Sequence, residues 1–592
     1  MSETKTSRVW LWFVLPPALF LWAAWRCVEY CSPTYDEPAH LVAGYTYWTR
    51  RDFRLDQDVP PLTKLLAALP VLVFERPDFR PDPKLWEWGD QFGLGTRLVF
   101  DSGVPPDRLM ALARAPMVAL GLLLALLSGW WAARLWGWQA GAAALALAAC
   151  DPNLIAHSAT VNSDVPAAFF VLLALYALWE TFRAPGWQRL AAVGVAAGLA
   201  IVSKHTALLV LPCLLLACAA WLLDRRPLVR RELPPGGRGP GLEALASLGL
   251  ILLPAVAAIP PCHFFVGSFG FGTWLEGLDV VRQHVAVGHP SFLLGDYSLT
   301  GWWLFYPFVL LVKTPLSTLV LAIASLALWQ RGTRPDRAAT LALVLPATLF
   351  FAAASASKVA LGARHLMPVY ACLWILAARC VTWGPAGRLG VAVLVLGAGV
   401  SSLAVTPHQL AYFNELAGGP EAGHLYLLDS NLDWGQDLKG LRDFVAREKL
   451  ETLYLSYFGS VPPSFYGLRY RALPGNPTWN DKDPDEDPAD PFPEGSSRHV
   501  IAVSASNLQG LWPPRLRADY GWLLSRKPLA RIGYGIWVWE ITGDAEAHAQ
   551  LAQIFLRWRK PRLAIRELKR ALALNPALEG GVQLLERLAP PR

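Results

Sequence analysis

Residues 9–40 read VWLWFVLPPALFLWAAWRCVEYCSPTYDEPAH, an apolar run followed closely by an acidic pair between two prolines. The run is long enough to enter a bilayer, and the carboxylates of Asp36 and Glu37 follow where it would leave the bilayer. Membrane interfaces favour Trp and Tyr, so carboxylates placed there need a separate reason. One reason is structural, because both residues could cap a helix lying in the interface. Such a helix would put Asp36 and His40, four residues apart, on one face.

The composition is that of a membrane protein. Of the 592 residues, 54% are hydrophobic and 17% are charged, with a mean hydropathy of +0.32. A soluble protein would carry roughly 25% charged residues. The 27 Trp fit the same class, since Trp gathers at the headgroup level. The net charge of +7 does not indicate nucleic acid as a partner, because the basic residues cluster in short loops between apolar runs.

The apolar runs predict a polytopic α-helical protein with about eleven transmembrane helices of roughly 20 residues each. The first is read as an uncleaved anchor, because no small-residue cleavage site follows it. The predicted spans are 9–27, 109–134, 138–158, 165–183, 187–203, 205–224, 242–261, 302–329, 338–356, 366–383 and 388–406.

Arginines set the predicted orientation. The loops 181–190, 224–241 and 330–337 carry Arg and fall on one side of the eleven spans. That side is cytoplasmic by the positive-inside rule, and the N-terminus lies there too. Everything after residue 405 is then external. We therefore expect a multi-pass protein of the cell membrane (inner or plasma membrane) with a cytoplasmic N-terminus and an external C-terminal domain.

The first predicted domain, residues 1–406, contains all the spans and a long first external loop, 28–108. Two short amphipathic segments in this loop, 39–49 and 62–74, are predicted to be helices lying in the interface rather than crossing it.

Two further domains follow. Residues 407–541 are richer in Gly, Pro and charge, and we expect a small external α/β domain with a mobile acidic loop at 476–497. Residues 542–592 resemble about one helical repeat of the 34-residue tetratricopeptide (TPR) kind. One repeat cannot bury its own face, so it should pack on the α/β domain or on a partner. The predicted elements of the α/β domain are strands at 452–458, 499–504 and 532–541 and a helix at 436–449.

Ionisable side chains gather at the predicted external ends of the spans. A charged group at membrane depth is costly unless it is paired or hydrated, so Lys313, inside the span 302–329, is the least easily explained. Each group has a structural alternative, since a single Lys can snorkel and Asp164 can cap the next span. Their convergence on one face favours function, because carboxylates suit deprotonation of an acceptor and cations suit a phosphate. The set comprises Asp36, Glu37, Asp164, Lys64, Lys204, Lys313 and Arg364.

Short motifs occur in a fixed order along this predicted face. They are Tyr35-Asp36-Glu37, Pro60-Pro61-Leu62-Thr63-Lys64, Asp164-Val165-Pro166 and Arg364-His365-Leu366-Met367-Pro368. The ordered set resembles the multi-spanning, lipid-carrier-dependent glycosyltransferases of the GT-C fold, related to protein O-mannosyltransferases and the aminoarabinose transferase of lipid A. Further along, Tyr412-Phe413-Asn414-Glu415-Leu416 and Asp429-Ser430-Asn431-Leu432-Asp433-Trp434-Gly435-Gln436-Asp437-Leu438 look like a signature of a bacterial branch of that group.

The resemblance implies an inverting glycosyltransferase. Its members take a sugar from a polyprenyl-phosphate donor and transfer it on the outer face, here to a hydroxyl of a protein, lipid or glycan acceptor. The first-loop Asp of the family is the general base, which corresponds to Asp36. Glu37 and Asp164 are then expected to orient Asp36 or the acceptor.

The donor is expected to meet cations and imidazoles on the same face. Cations can neutralise the departing phosphate, so no cofactor is required, while paired carboxylates leave a divalent metal open. The expected substrate-binding side chains are His40, Lys64, Lys204, Lys313, Arg364 and His365.

Other functions stay open on the sequence alone. An oligosaccharyl or cell-wall polymer transferase would share the fold. A flippase or transporter for a lipid-linked sugar would also need many spans, but transporters carry charge near the midplane and internal repeats, whereas here the charge lies mainly at one face. A non-catalytic scaffold displaying the C-terminal domains is the remaining alternative.

Overall fold

The computed structural model describes residues 11–224, 226–229, 240–475, 492, 498–511 and 513–588. These residues fold as two compact units. We call the first the helical unit; its described residues come from Met1–Glu29, Asp36–Ser291 and Ser298–Gly423. We call the second the sheet unit; its described residues come from Tyr30–Tyr35, Phe292–Tyr297 and His424–Arg592.

The predicted boundaries at residues 406 and 541 stay predictions. Apart from Phe492, the predicted acidic loop 476–497 lies outside the described residues, as do four arginines of the predicted cytoplasmic loop 224–241.

Seven helices among the described residues are long and apolar enough to cross a membrane, with mean hydropathies from 1.5 to 2.4. They confirm the prediction of a polytopic helical membrane protein. The number eleven is not confirmed, because Leu11–Tyr30 is not among the seven, and Trp138–Ala149 and Trp187–Ile201 are shorter. The seven are Pro106–Trp136, Asp164–Arg183, His205–Leu223, Ala244–Cys262, Arg337–Ser355, Ala363–Trp383 and Pro385–Ala404.

The predicted span 302–329 is broken rather than straight. Its two halves, Phe305–Lys313 and Leu316–Ala327, are bent by 118°. Pro315 causes the break, because proline lacks an N–H and forces the residue before it out of the helical region. Thr314 accordingly has φ −92° and ψ 134°, which is extended backbone. An eighth span results if the bent pair crosses the membrane as one element.

The side-chain amide of Asn414 closes the broken helix end. Its Nδ2 donates to the carbonyls of Leu311 at 2.6 Å and Thr314 at 2.9 Å, and its backbone N–H donates to Val312 O at 2.9 Å. A helix C-terminus otherwise leaves its last carbonyls without partners. Asn414, from the Tyr412–Leu416 motif, therefore holds the break that follows Lys313.

Two helices in the first loop were predicted at 39–49 and 62–74, and the structure has them at Glu37–Arg50 and Pro61–Phe74. Pro60 is extended at φ −61° and ψ 158°, and Pro61 then starts the second helix, where its missing N–H has no cost. The two helices cross closely at Gly44, since a Cβ there would lie 2.1 Å from Lys64 O. Their position in the membrane interface stays a prediction.

Shorter helices complete the helical unit. They are Pro83–Trp88, Gln91–Asp101, Pro152–Ser158, Val266–Phe269 and Phe271–Val287.

The sheet unit is built on a mixed five-stranded sheet. In chain order after the short pair β1 (Ser291–Leu293) and β2 (Asp296–Ser298), its strands are β3 (Leu453–Ser456), β4 (Tyr470–Ala472), β5 (Val500–Ser504), β6 (Ala530–Ile532) and β7 (Ile536–Glu540). Their spatial order is β4-β3-β5-β7-β6, in which β3 is parallel to β4 and β5 while β7 is antiparallel to β5 and β6. The residues of β3 and β5 are all buried, as expected for central strands covered on both faces.

Helices cover both faces of this sheet. The helix Leu438–Arg447 packs Leu441 and Phe444 on one face. The terminal helices Ala545–Arg557 and Pro561–Leu574 pack on the other, with Leu551 and Phe555 in the same apolar cluster as strand β5. The terminal helices thus pack on the sheet, which is one of the two placements expected for them. Their kinship with a 34-residue repeat stays a prediction. A last helix runs over Gly581–Leu588, and the shorter ones are Ala505–Leu508 and Leu516–Tyr520.

Candidate active site

The carboxylate of Asp36 faces a cation. Asp36 occupies the N-cap position of Glu37–Arg50, yet its side chain makes no capping hydrogen bond. Its Oδ2 lies 3.7 Å from Nη1 of Arg364, and the side chains are 33% and 11% exposed. Arg364 belongs to a short 3-10 helix, Ala363–Leu366, which follows Gly362 at φ 129°. The Asp36 side chain therefore does not cap the helix. It forms a partly exposed ion pair with Arg364 instead.

Asp164 and Lys204 form a second ion pair, and the charges of Asp36 and Arg364 act on Lys204. Lys204 Nζ donates to Asp164 Oδ1, and the side chains are largely buried. Asn162 Oδ1 accepts the backbone N–H of Asp164 at 3.0 Å and fixes the start of its helix. Burial lowers the pKa of Lys204, and the charge of Arg364 lowers it further, while Asp164 and Asp36 offset part of the effect. Two carboxylates and two cations therefore act on one another here.

Two imidazoles border these ion pairs. His365 Nδ1 lies 3.0 Å from the hydroxyl of Tyr306, which itself donates to Val359 O at 2.9 Å. His157 is the second imidazole and was not identified from the sequence. It lies within electrostatic range of Asp164, Lys204, Lys313 and Arg364.

Glu37 is placed very differently from its neighbour Asp36. It is fully buried, and Arg114 grips it with two hydrogen bonds, Nε to Oε1 at 2.8 Å and Nη2 to Oε2 at 2.6 Å. Oε1 also accepts the backbone N–H of Val161 at 2.8 Å. Both oxygens are thus committed to the fold, which argues against the expected contact between Glu37 and the acceptor. A buried pair of this geometry is costly to break from one side.

Lys64 is also committed within the first loop. Its side chain is fully buried, and its Nζ donates to Tyr47 Oη at 2.9 Å, to Val59 O at 2.5 Å and to Asp56 O. A lysine ammonium has three N–H donors, so these bonds use them all. Lys64 also lies 3.4 Å from Asp56 Oδ2, which His40 Nδ1 contacts at 2.6 Å. This placement argues against Lys64 as a phosphate ligand and places His40 in the same loop-bracing group.

The pKa values in this group reflect its charges. Burial alone would raise the pKa of Asp56, but Lys64 and His40 outweigh burial and hold that pKa below its usual range. Burial and the negative charge of Asp56 raise the pKa of Asp58 to about 7. Lys64 and His40 therefore both favour the charged form of Asp56.

Lys313 lies at the break in the bent helix pair. It is buried, donates to Leu410 O at 2.9 Å, and sits 4.6 Å from the ring centroid of Phe413. The carbonyl of Lys313 accepts from Asn153 Nδ2 at 2.7 Å. These contacts tie Lys313 to the helix break, and its expected approach to a phosphate stays a prediction.

Among the described residues, no group of three or more His, Cys, Asp or Glu side chains is arranged to hold a metal ion.

Several members of the site have weak or no sequence signals. Arg114 could be noticed in the sequence, because it is a charged residue within the predicted span 109–134. A charge inside a membrane span needs a partner. Its partner Glu37 lies 77 residues away, so the pairing itself was invisible. Asp56 precedes a recognised motif, and His157 has no spacing that marks it.

Comparison with known proteins gives one family match. Residues 109–237 match the model of the family described as dolichyl-phosphate-mannose-protein mannosyltransferase. The matched segment contains Arg114, Asp164 and Lys204, whereas Asp36 and Arg364 lie outside it. No curated protein matches the chain.

Solved structures similar to the chain include ArnT from Cupriavidus metallidurans. Its complex with undecaprenyl phosphate is 13% identical with a TM-score of 0.45, covering 90% of this chain and 99% of that chain. Its apo form is 14% identical with a TM-score of 0.46, covering 89% and 97%. The archaeal oligosaccharyltransferase AglB from Archaeoglobus fulgidus, in complex with an inhibitory peptide and a dolichol-phosphate, is 14% identical with a TM-score of 0.41, covering 86% and 73%. Through residues 109–237 the chain is thus similar to a family of lipid-carrier-dependent mannosyltransferases, which confirms the predicted resemblance and the enzyme class it implies, a glycosyltransferase using a lipid-linked donor.

Proposed function

We propose that the chain transfers a sugar from a polyprenyl-phosphate donor to an acceptor hydroxyl on the outer face of the cell membrane, with inversion at the anomeric carbon. The acceptor is a protein, a lipid or a glycan. The observation that carries the proposal is the ion pair of Asp36 and Arg364, which puts a partly exposed carboxylate beside a phosphate-binding type of cation.

In this proposal Asp36 is the general base. It takes the proton of the acceptor hydroxyl as the acceptor oxygen forms a bond to C1 and the bond from C1 to the phosphate oxygen breaks. At 3.7 Å the Asp36–Arg364 contact is longer than a charge-assisted hydrogen bond, so a donor phosphate can compete for the guanidinium. Binding of the donor would then let the Asp36 carboxylate accept a hydrogen bond from the acceptor hydroxyl.

The charge balance of the two ion pairs suits this step. Before reaction, two carboxylates face two cations, Arg364 and Lys204. Proton transfer neutralises Asp36, so both cations then face a single carboxylate while a second negative charge develops on the leaving phosphate. Preorganised charges of this kind stabilise a transition state most where charge develops. Asp164 keeps Lys204 in place, and His365 borders the same site.

The remaining predicted site residues take positioning roles in the proposal. Glu37, held by Arg114, fixes the start of the helix that follows Asp36. Lys64 and His40 brace the first loop through Asp56. Lys313 belongs to the helix break. We assign none of these four to direct contact with the donor phosphate.

The test is a transfer assay with purified protein in lipid nanodiscs. A panel of radiolabelled polyprenyl-phosphate sugars and polyprenyl-diphosphate oligosaccharides is offered, and free polyprenyl phosphate, glycosylated acceptor and the anomeric configuration of the product are measured. We expect product from a monophosphate donor, with the anomeric configuration inverted. Turnover of diphosphate-linked oligosaccharides alone would show an oligosaccharyl transferase. Movement of the lipid across a vesicle membrane without sugar transfer would show a flippase.

A further inference from the structure

The imidazole of His365 is held at one of its two nitrogens by a buried tyrosine. The backbone N–H of His365 donates to Gly362 O at 3.1 Å, which fixes the residue in its 3-10 helix. Its side-chain Nδ1 lies 3.0 Å from Oη of Tyr306, a residue of the helix Phe305–Lys313. The two rings differ by 16° in orientation, with 6.3 Å between their centroids. Tyr306 is 1% exposed, so the hydroxyl that meets His365 belongs to the interior of the helical unit.

The directions of the hydrogen bonds in this group follow from the backbone carbonyl of Val359. Tyr306 Oη lies 2.9 Å from Val359 O, and a carbonyl oxygen can only accept, so the tyrosine proton lies on this bond. The tyrosine oxygen then has only lone pairs for His365, and Nδ1 of the imidazole must be the donor. In a neutral imidazole, a proton on Nδ1 leaves a lone pair on Nε2. Tyr306 therefore selects the tautomer of His365 that accepts a hydrogen bond at Nε2.

The other ring nitrogen of His365, Nε2, has no such partner in the described part of the chain. No backbone or side-chain group among the described residues is hydrogen-bonded to it, and His365 is partly exposed. The charges of Asp164, Lys204 and Arg364 all act on this imidazole. The charged site around Arg364 thus includes an acceptor nitrogen that the fold itself does not use.

A lone pair on an imidazole nitrogen recognises a hydroxyl group. An alcohol O–H is a donor and matches Nε2, whereas the phosphate of a polyprenyl-phosphate sugar is a diester whose oxygens only accept. Phosphate oxygens are matched instead by the donors of Arg364 and Lys204. The adjacent residues Arg364 and His365 therefore offer complementary chemistry, a guanidinium for the phosphate and a lone pair for a hydroxyl.

We propose that the neutral imidazole of His365 binds a substrate hydroxyl at Nε2, and that Tyr306 is the positioning residue that keeps it in the accepting tautomer. The inference rests on the proposed function and deepens it, because it names the chemical group recognised beside the phosphate. Both the sugar of the donor and the acceptor carry hydroxyl groups, and the test separates these two sources. His365 transfers no proton in this proposal, since Asp36 is the base.

The test compares four variants of the full chain in lipid nanodiscs. His365→Phe keeps an aromatic ring and removes both nitrogens, whereas His365→Gln can place an amide oxygen near the position of Nε2. Tyr306→Phe removes the hydroxyl that selects the tautomer. Tyr176→Phe is the matched control, because this hydroxyl is also hydrogen-bonded, but to Trp130 at 2.8 Å and Glu180 at 3.1 Å.

Binding is measured with undecaprenyl phosphate, which has no sugar, and with the polyprenyl-phosphate sugar that is turned over in the panel above. If the hydroxyl belongs to the donor sugar, His365→Phe should weaken binding of the sugar donor about three- to tenfold, the effect of one lost hydrogen bond. Binding of undecaprenyl phosphate should not change. If the hydroxyl belongs to the acceptor, both lipids should bind as in wild type, and kcat/KM for the acceptor should fall by the same factor.

The other variants test the tautomer. Tyr306→Phe should reduce the same parameter as His365→Phe but by a smaller factor, because the neutral imidazole can then adopt either tautomer. His365→Gln should recover part of the loss, and Tyr176→Phe should match wild type. Wild-type behaviour of Tyr306→Phe would overturn its positioning role.

Two results would overturn the role of His365 while leaving the proposed function intact. One is wild-type binding and turnover in His365→Phe. The other is an equal loss of affinity for undecaprenyl phosphate and for the sugar donor, which would show that His365 acts on the phosphate. A wild-type protein that transfers no sugar from any donor would instead overturn the proposed function.

Discussion

The predicted site residues fall into two groups, which differ in solvent exposure and in the number of hydrogen-bond partners. Asp36 and Arg364 meet at 3.7 Å with part of the carboxylate exposed, whereas Glu37 and Lys64 are fully buried and each hold three hydrogen bonds. A buried group that already holds several partners would have to give up some of them to bind a substrate. Asp36 and Arg364 are therefore suited to contact the substrates. Glu37 and Lys64 are suited to hold the fold around them.

Replacing Arg364 by Ala should raise the donor KM. A charge-assisted contact is worth about 1.5–3 kcal/mol, so the increase should be about ten- to a hundredfold while the thermal midpoint stays close to wild type. Donor titrations of Arg364→Ala and of Arg80→Ala, whose side chain is 87% exposed, measure this. An unchanged donor KM would remove Arg364 from the phosphate site.

Lys64→Ala should behave in the opposite way. Loss of its bonds to Tyr47, Val59 and Asp56 removes one of the two partners that offset the buried charge of Asp56, so unfolding should occur at a lower temperature. The donor KM of the folded fraction should not change. A raised donor KM with normal stability would return Lys64 to the phosphate site.

A pH-dependent stability should come from Asp433. Burial raises its pKa from 3.8 to about 7. As pH rises between these values, the unfolded chain loses a proton that the native state keeps, so stability falls. Asp433→Asn should therefore lose less thermal stability between pH 5 and pH 8 than wild type. Asp443→Asn, an exposed carboxylate, is the control; equal losses in all three would contradict the assignment.

The sequence could identify the ion-pair residues because charges stand out in an apolar chain. Asp36, Asp164, Lys204 and Arg364 all lie at ends of apolar runs, where hydropathy alone marks them. It could not separate the functional charges from the supporting ones. That distinction depends on partners such as Arg114, which is 77 residues from Glu37.

At the scale of elements, hydropathy predicts where apolar helices occur but carries no information about their direction. The window 302–329 reads as one span, yet Pro315 splits it and the halves bend by 118°. The proline was visible in the sequence, but the cap on the broken end, Asn414, is about 100 residues away and could only be found from the fold.

Asn414 should stabilise this break. Asn414→Ala removes both amide N–H donors and leaves the carbonyls of Leu311 and Thr314 unsatisfied, at a cost of about 1–3 kcal/mol. Asn414→Asp keeps an oxygen for the backbone N–H of Ala417 but removes the donors, so it should be no better than Ala. Thermal unfolding of both variants gives the measurement; wild-type stability in either would show that the cap is dispensable.

At the scale of the whole molecule, composition and the ordered motifs were enough to predict a polytopic glycosyltransferase, and the family match over residues 109–237 agrees. The topology was predicted from arginines, and it determines whether the chemistry is external. Composition could not show that Tyr30–Tyr35 folds into the sheet unit, because that placement depends on backbone hydrogen bonds, such as Ser32 N–H to Gln436 O, to residues about 400 positions away.

The predicted orientation places the sheet unit outside the cell. A cysteine introduced at Ser464, which is exposed, should react with a membrane-impermeant maleimide in intact cells. A cysteine at Arg334, in a predicted cytoplasmic loop, should react only after permeabilisation. Labelling of Ser464→Cys solely after permeabilisation would reverse the orientation and remove the outer face as the place of transfer.

The central claim is that Asp36 is the general base, and the most direct test is the turnover of Asp36→Asn measured together with donor binding. This variant keeps the size of the side chain and removes the base. Turnover should fall by about 10²–10⁴-fold while the donor still binds, and Asp36→Glu should retain part of the activity. Asp78→Asn, an exposed first-loop carboxylate, should behave as wild type. Wild-type turnover in Asp36→Asn would contradict the account and move the base to Asp164.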